Sequence, residues 1–287
     1  LFGEEPRFSA YSLSKLAVVP SAGGAPKVLT AALDRPVSGP LLWSADGASL
    51  LFLAEDDRES YVGRVPAGGG PVEKLTSGRR TVSNISLGPD GAITLLAGTA
   101  TEVGEVQALE NGNLRRLTRQ NDALFAGLEL GVTEPFTSKS KDGTVVNSIL
   151  VKPASYVPGQ LYPLLLRIHG GPNGQDGWSF SFEREFFAAQ GYVVLAVNYR
   201  GSSGRGSAFQ KAIFGDWGRK EVMDLLGAVG QAVALKIADP ARVGIGGWSY
   251  GGILTDYTIA TDTRFKAAVS GAGSALQLSM YGSDQDI

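Results

Sequence analysis

Apolar positions in the first 125 residues come in short runs separated by turn residues, and the runs recur. Leu50-Leu-Phe-Leu-Ala54 and Ile93-Thr-Leu-Leu-Ala97 each follow an Asp-Gly pair, Asp46-Gly47 and Asp90-Gly91, and the two pairs stand 44 residues apart. Five residues is strand length rather than helix length. Asp-Gly tolerates positive φ, so each pair predicts a tight two-residue hairpin turn. Other features repeat in the same order. Ala25-Pro-Lys-Val-Leu-Thr30 is echoed by Pro71-Val-Glu-Lys-Leu-Thr76 and by Asn113-Leu-Arg-Arg-Leu-Thr118, and Val19-Pro20 by Val65-Pro66. A period of about 45 residues with several short strands reads as the blades of a β-propeller. The plainer alternative is an antiparallel β domain with Asp-Gly turns. Propellers close with about four to eight blades, so residues 1–128 are expected to form a partial all-β propeller of about three blades. Such an arc leaves sheet edges open.

Beyond Thr118 the pattern changes. Thr144-Val-Val-Asn-Ser-Ile-Leu-Val151 alternates as a strand beside a Lys141-Asp-Gly143 turn. Pro163–His169 and Tyr192–Asn198 are near-continuous apolar runs, the signature of buried parallel strands. Between them Phe182–Gln190 reads as a helix stopped by Gly191. Residues 217–237 place Val222, Leu225, Leu226, Val229 and Val233 on one helical face. A strand at Arg242–Gly246, a helix at Gly251–Ala260 and a strand at Phe265–Val269 complete the alternation. Residues 129–287 therefore predict an α/β domain with a mostly parallel sheet.

Composition narrows the chemistry. The 287 residues contain no cysteine and one histidine, which excludes a disulfide framework, a thiol nucleophile and any two-histidine metal centre. Net charge is -2, with no basic excess to suggest nucleic acid. Hydrophobic residues make up 43%, enough for a packed core. No apolar stretch reaches membrane-spanning length. Neither a Walker A pattern nor a Rossmann glycine motif after a strand is present, so no nucleotide cofactor or metal is expected. Leu1–Ala10 lacks the basic-then-apolar shape of a signal peptide. A first residue other than Met suggests a cut, which leaves the compartment open between cytoplasm and periplasm.

Gly247-Trp-Ser249-Tyr-Gly251 fits G-x-S-x-G. Alone the motif is weak, but here the serine falls between a predicted strand and a predicted helix, where a nucleophile elbow must lie. The rival is a glycine-rich turn with an incidental serine. His169-Gly170-Gly171-Pro172 ends an earlier strand. Glycines there let backbone N–H groups face a developing oxyanion, with the N–H of Tyr250 as the other donor. As a triad base His169 precedes Ser249 in the chain, on the wrong loop for this fold order. A histidine that merely ends a strand is the third possibility. Asn198 and Arg200, in Asn198-Tyr-Arg-Gly-Ser202, either hold a substrate carbonyl or carboxylate or tie loops together. Asp216 reads as a helix cap or loop anchor.

These residues resemble the first part of the catalytic domain of the prolyl oligopeptidase family of serine peptidases. The matching landmarks are His169-Gly-Gly-Pro172, Asn198-Tyr-Arg-Gly-Ser202, Asp216-Trp-Gly218 and Gly247-Trp-Ser-Tyr-Gly-Gly252. The last of these is similar to the dipeptidyl-peptidase and acylaminoacyl-peptidase-like branches. The resemblance implies an α/β hydrolase preceded by a propeller that sieves short peptides, attack by Ser249 and an acyl-enzyme. It also implies oxyanion donors at Tyr250 and at His169, Gly170 and Gly171. Many relatives carry Tyr where this chain has His169 and donate from its hydroxyl, which this sequence cannot do. In relatives the stretch equivalent to 271–281 helps line the pocket for the residue before the scissile bond, and Leu276, Leu278 and Met280 suggest an apolar one.

Only 38 residues follow Ser249, and they hold Asp256, Asp262, Asp284 and Asp286 but no histidine. Without a base a serine hydroxyl is a poor nucleophile. The expectation is a serine peptidase of short peptides whose triad acid and base lie outside these residues, so that this chain alone is inactive. An esterase or lipase of the same fold, and a non-catalytic propeller binding module, are the alternatives.

Overall fold

The computed structural model describes residues 6–8 and 11–280; Leu1, Tyr281, Asp284 and Asp286 lie outside them. The chain divides into two compact units. One holds residues 1–128 with 177–180 and 203–211, and the other holds 129–176, 181–202 and 212–287. Two short segments from the predicted α/β half thus pack with the first unit.

The first unit begins with an antiparallel pair, β1 (Ala17–Val18) and β2 (Lys27–Val28). Then β3 (Val37–Trp43), β4 (Ser49–Asp56), β5 (Glu59–Pro66) and β6 (Glu73–Lys74) form a four-stranded antiparallel sheet in chain order. A second such sheet contains β7 (Thr81–Leu87), β8 (Ile93–Thr99), β9 (Glu102–Glu110) and β10 (Asn113–Arg116), followed by the short α1 (Asp122–Phe125). The run at β4 is continuously apolar because both of its faces are covered. Leu50, Phe52 and Ala54 join one core with Tyr61 and Val65, while Leu51 and Leu53 join another with Val82, Ile85 and Leu95.

The turns differ from the sequence expectation. At Asp46-Gly47 and Asp90-Gly91 only the glycine has positive φ, 68° and 82°. Each aspartate instead accepts a backbone N–H two residues on, from Ala48 at 3.0 Å and Ala92 at 3.1 Å. These are Asx-stabilised loops, in which the side chain does what a strained backbone otherwise would. Two-residue turns with both residues at positive φ occur at Asp57-Arg58 and Asn111-Gly112.

The repeated Leu-Thr has a common physical role. The hydroxyls of Thr30, Thr76 and Thr118 accept the backbone N–H of Leu16, Val62 and Val106 at 2.9, 3.0 and 2.9 Å. Each closes a strand against its neighbour with a donor that the ladder leaves over.

The second unit is an α/β layer structure. Its strands are β11 (Val132–Lys139), β12 (Val145–Lys152), β13 (Tyr162–Ile168), β14 (Val193–Val197), β15 (Ala238–Trp248) and β16 (Ala267–Gly271), in spatial order β11-β12-β14-β13-β15-β16. The first two pairings are antiparallel and the remaining three parallel. Helix α2 (Phe182–Ala189) joins β13 to β14, with Ser181 as its N-cap and Gly191 at φ 85° just past its end. After α3 (Ser207–Lys211), which belongs to the first unit, come α4 (Lys220–Ala234), α5 (Tyr250–Thr261) and α6 (Gln277–Met280). Helix α4 starts three residues later than predicted because Gly218 takes φ 79°. It buries Val222, Leu225, Ala228, Val229 and Ala232; Leu226 and Val233 are only half-buried.

The chain runs outward from β13 to β14 on one side and returns to lay β15 on the other. Strand order therefore reverses between β13 and β15, where open α/β sheets bind ligands at the carboxyl ends of their strands. Among the described residues no helix is long and apolar enough to cross a membrane.

Replacing Thr76 by Val keeps its shape but leaves the Val62 N–H without its acceptor. Urea unfolding is expected to show a loss of about 1–3 kcal/mol, with Thr76→Ser costing less.

Candidate active site

Ser249 occupies the junction of β15 and α5 with φ 57° and ψ -122°. That is a strained backbone for a non-glycine residue, costing about 1–3 kcal/mol, and it persists only where surroundings over-determine it. Here they do. Its N–H donates to the Gly271 carbonyl of β16 at 2.9 Å, and its own carbonyl accepts from Ile253 at 3.0 Å. The flanking glycines are demanded by close approach. A Cβ at Gly247 would meet the Gly251 and Ile168 carbonyl oxygens at 2.5 and 2.6 Å, one at Gly251 the Ile168 carbonyl at 2.2 Å, and one at Gly252 the Gly271 carbonyl at 2.5 Å. Serine at an N-cap ordinarily accepts a helix N–H. Ser249 is the N-cap of α5 and makes no such bond; the residue is exposed.

Ile168 pairs with Gly247 across the parallel strands, which brings the loop after β13 beside the serine. A Cβ on Gly170 would stand 3.4 Å from the Ser249 Cβ and 3.9 Å from its Oγ. An exposed hydroxyl on a rigid turn, bordered by a helix N-terminus and a glycine loop, is suited to attack on a carbonyl whose oxygen needs backbone donors.

His169 is buried and its ring is engaged inside the loop. Nδ1 lies 2.8 Å from the Gly170 carbonyl and Nε2 3.0 Å from Ser202 Oγ. The carbonyl can only accept, so Nδ1 carries the proton and Nε2 accepts from the serine. The ring stacks on Tyr199 at 4.5 Å, and the Tyr199 hydroxyl donates to the His169 carbonyl at 2.7 Å. Burial is the chief cause that pushes the imidazole pKa below its ordinary 6.5.

Asn198 and Arg200 are buried and bonded to protein. The Asn198 amide accepts the Asp176 N–H at 2.7 Å and donates to the Asp176 carbonyl at 2.9 Å. Asp176 in turn accepts from Arg167 at 3.0 Å and Arg184 at 3.1 Å, which fixes the far end of the glycine loop. Arg200 donates to both carboxylate oxygens of Asp224, and also to Asp142, Ser140 Oγ and the Lys220 carbonyl. Between the alternatives left by sequence, the geometry is that of loop-tying. Arg200 holds the Asp142 carboxyl down at about 2.

Asp216 does not cap α4. It is half-buried, 3.9 Å from Arg219, and the Gly218 N–H goes to Glu221 instead. Asp256 accepts from Ser270 and Asp262 from Arg264. Leu276, just before the short α6, and Leu278 within it are exposed, and Met280 is half-buried. Among the described residues no group of three or more His, Asp or Glu could hold a metal. Sequence reasoning passed over Asp176, Tyr199, Glu221 and Asp224. The available signal was the pair of acids three apart on the apolar face of α4, where a charge needs a partner.

Four outcomes are expected. The single imidazole gives one NMR signal, titrating below 6.5. Because its folded pKa is lowered, the unfolded chain binds more protons between that midpoint and 6.5, so stability rises with pH across that window. Gly251→Ala is expected to lose about 1–3 kcal/mol or more in urea unfolding. Gly230→Ala, where a Cβ meets nothing within 4 Å, gains about 0.5–1 kcal/mol from helix propensity.

Residues 178–287 match the prolyl oligopeptidase family. An uncharacterized peptidase, YuxL, of Bacillus subtilis is 30% identical over 244 residues, covering 84% of this chain and 37% of the relative. Dipeptidyl-peptidase 5 of Porphyromonas gingivalis is 29% identical over 238 residues, covering 80% and 34%. An acylaminoacyl peptidase solved with Z-Gly-Gly-Phe-chloromethyl ketone superposes with TM-score 0.82 at 26% identity, covering 90% of this chain and 41% of that one. The chain thus spans well under half the length of the relatives it matches. Residues 178–287 thus carry the match to the prolyl oligopeptidase family, and the chain as a whole is similar to peptidases.

Proposed function

We propose that this chain supplies the nucleophile and the oxyanion donors of a serine-type peptidase acting on short peptides. The observation that carries the reading is Ser249 itself. It is held at φ 57° by β16 and α5, does not cap its helix, and stands beside Gly170. In this reading Ser249 Oγ attacks the scissile carbonyl carbon and a C–O bond forms as its proton passes to a base. The oxyanion is met by the Tyr250 N–H and the backbone of Gly170 and Gly171. Collapse expels the amine and leaves an acyl-enzyme, which water then hydrolyses. His169 contributes through its place in the loop, since both ring nitrogens already have partners.

The base is then not supplied by these 287 residues, and the chain by itself turns over no substrate. The exposed Ser249 beside the Gly170 loop supports the acyl-enzyme step. The choice of short peptides over esters rests on the relatives, two named as peptidases and one solved with a peptidyl chloromethyl ketone. The two four-stranded sheets of the first unit are taken as propeller blades, with residues 1–128 as that domain and 129–287 as the catalytic one.

The test compares the 287-residue chain with the full-length gene product on aminoacyl and N-acyl aminoacyl p-nitroanilides, on p-nitrophenyl esters, and with a fluorophosphonate. The full-length protein is expected to hydrolyse the anilides and to label at Ser249. Ser249→Ala should lower kcat by at least about 10⁴-fold. Ester turnover without amide turnover would favour an esterase, and failure to label would favour a binding module. Ser249-dependent turnover by the 287 residues alone would place a base within them.

A further inference from the structure

Glu221 is a buried carboxyl that the reaction above does not use. It lies in the first turn of α4 with no exposed surface. Its Oε1 accepts the Tyr250 O–H at 2.5 Å and the Gly218 N–H at 3.3 Å. Its Oε2 is buried and has no hydrogen-bond partner among the described residues. Reaching back to Gly218 is the bond a glutamate makes in a capping box, and an exposed glutamate makes it without desolvation. Full burial with one oxygen unmatched is costly, so capping alone does not account for the residue.

The other partner does. Tyr250 directly follows Ser249, and its peptide N–H is the oxyanion donor of the reading above. Its ring is buried, meets Trp217 edge-on at 4.9 Å, and faces Tyr199 at 6.0 Å. Tyr199 in turn stacks on His169. The aromatic wall fixes the plane of the Tyr250 ring, while the bond to Glu221 fixes how far along that plane it sits. The peptide between residues 249 and 250 is thereby held from the side chain of residue 250. Hydrogen bonds to Gly271 and Ile253 hold Ser249 itself. A donor must be aimed before charge develops, since reorganising it during reaction forfeits the stabilisation.

We propose that Glu221 is a positioning residue which, through the Tyr250 hydroxyl, sets the direction of the Tyr250 N–H toward the oxyanion. This rests on the nucleophile assignment of Ser249. The carboxyl touches neither substrate nor the reacting atoms, so its effect belongs in kcat and not in substrate affinity.

The experiment uses the full-length gene product with Tyr250→Phe, Glu221→Leu, Glu221→Gln and the Tyr250→Phe/Glu221→Leu double variant. Kinetics are measured on the best p-nitroanilide, with fluorophosphonate labelling of Ser249 alongside. Tyr250→Phe and Glu221→Leu are expected to lower kcat by about ten- to a hundredfold, with KM changed less than about threefold. Glu221→Gln keeps the accepting Oε1 and is expected to restore most of kcat. The double variant should be no slower than the slower single, because both remove one linkage. Tyr250→Phe leaves the bond from Gly218 to Glu221 in place, so its loss of rate is not a loss of the cap. It also serves if Glu221→Leu fails to fold. Wild-type kcat in Tyr250→Phe, or single effects that multiply in the double variant, would overturn the proposal. A wild-type protein that neither labels at Ser249 nor turns over would instead overturn the nucleophile assignment.

Discussion

The second unit depends on one close approach, that of the first turn of α5 to the end of β13. A methyl group at Gly251 would come within 2.2 Å of the Ile168 carbonyl, and one at Gly247 within 2.6 Å of the same oxygen. Only glycine lets the helix start this near the strand. Because it does, the turn between β15 and α5 has no slack, and Ser249 takes a backbone conformation that serine otherwise avoids. The same approach brings the loop of Gly170 against the Ser249 side chain. Exposure of the hydroxyl and the nearness of the glycine loop are thus two results of a single steric condition.

Around this point buried polar groups serve as struts. Asn198 closes on the backbone of Asp176, Arg200 on Asp224, and His169 on Gly170 and Ser202. Each satisfies groups whose burial would otherwise be costly. Arg200 matches two carboxylates at once, so the loop after β14 is tied both to α4 and to the turn between β11 and β12. Removing one partner of such a set leaves a buried charge uncompensated. The loops that border the serine are therefore held by ionic and amide contacts on the buried side, while the side facing solvent is left to glycine.

The first unit is organised by repetition. Its three Leu-Thr segments each spend a threonine hydroxyl on one backbone N–H, which explains why that dipeptide recurs while the residues around it vary. The Asp-Gly pairs also recur, yet they build side-chain-closed loops and not two-residue turns. Dipeptide identity reports that the chain turns. Which turn forms is set by how many residues the flanking strands leave unpaired.

Local patterning was enough for much of the fold. Continuous apolar runs marked β13 and β14, period-3.6 spacing marked α4, and glycine spacing around Ser249 marked the elbow, because burial and steric clash act over a few neighbouring residues. What lay beyond the sequence was which strands become neighbours. That β15 returns to the far side of β13, so that Ser249 and Gly170 share one edge although 79 positions apart in the chain, is settled by the packing of α2 and α4. The same holds for the partners of Arg200 and the burial of Glu221. A charged side chain reads the same in sequence whether it faces water or a partner, and only the folded chain brings the partner to it.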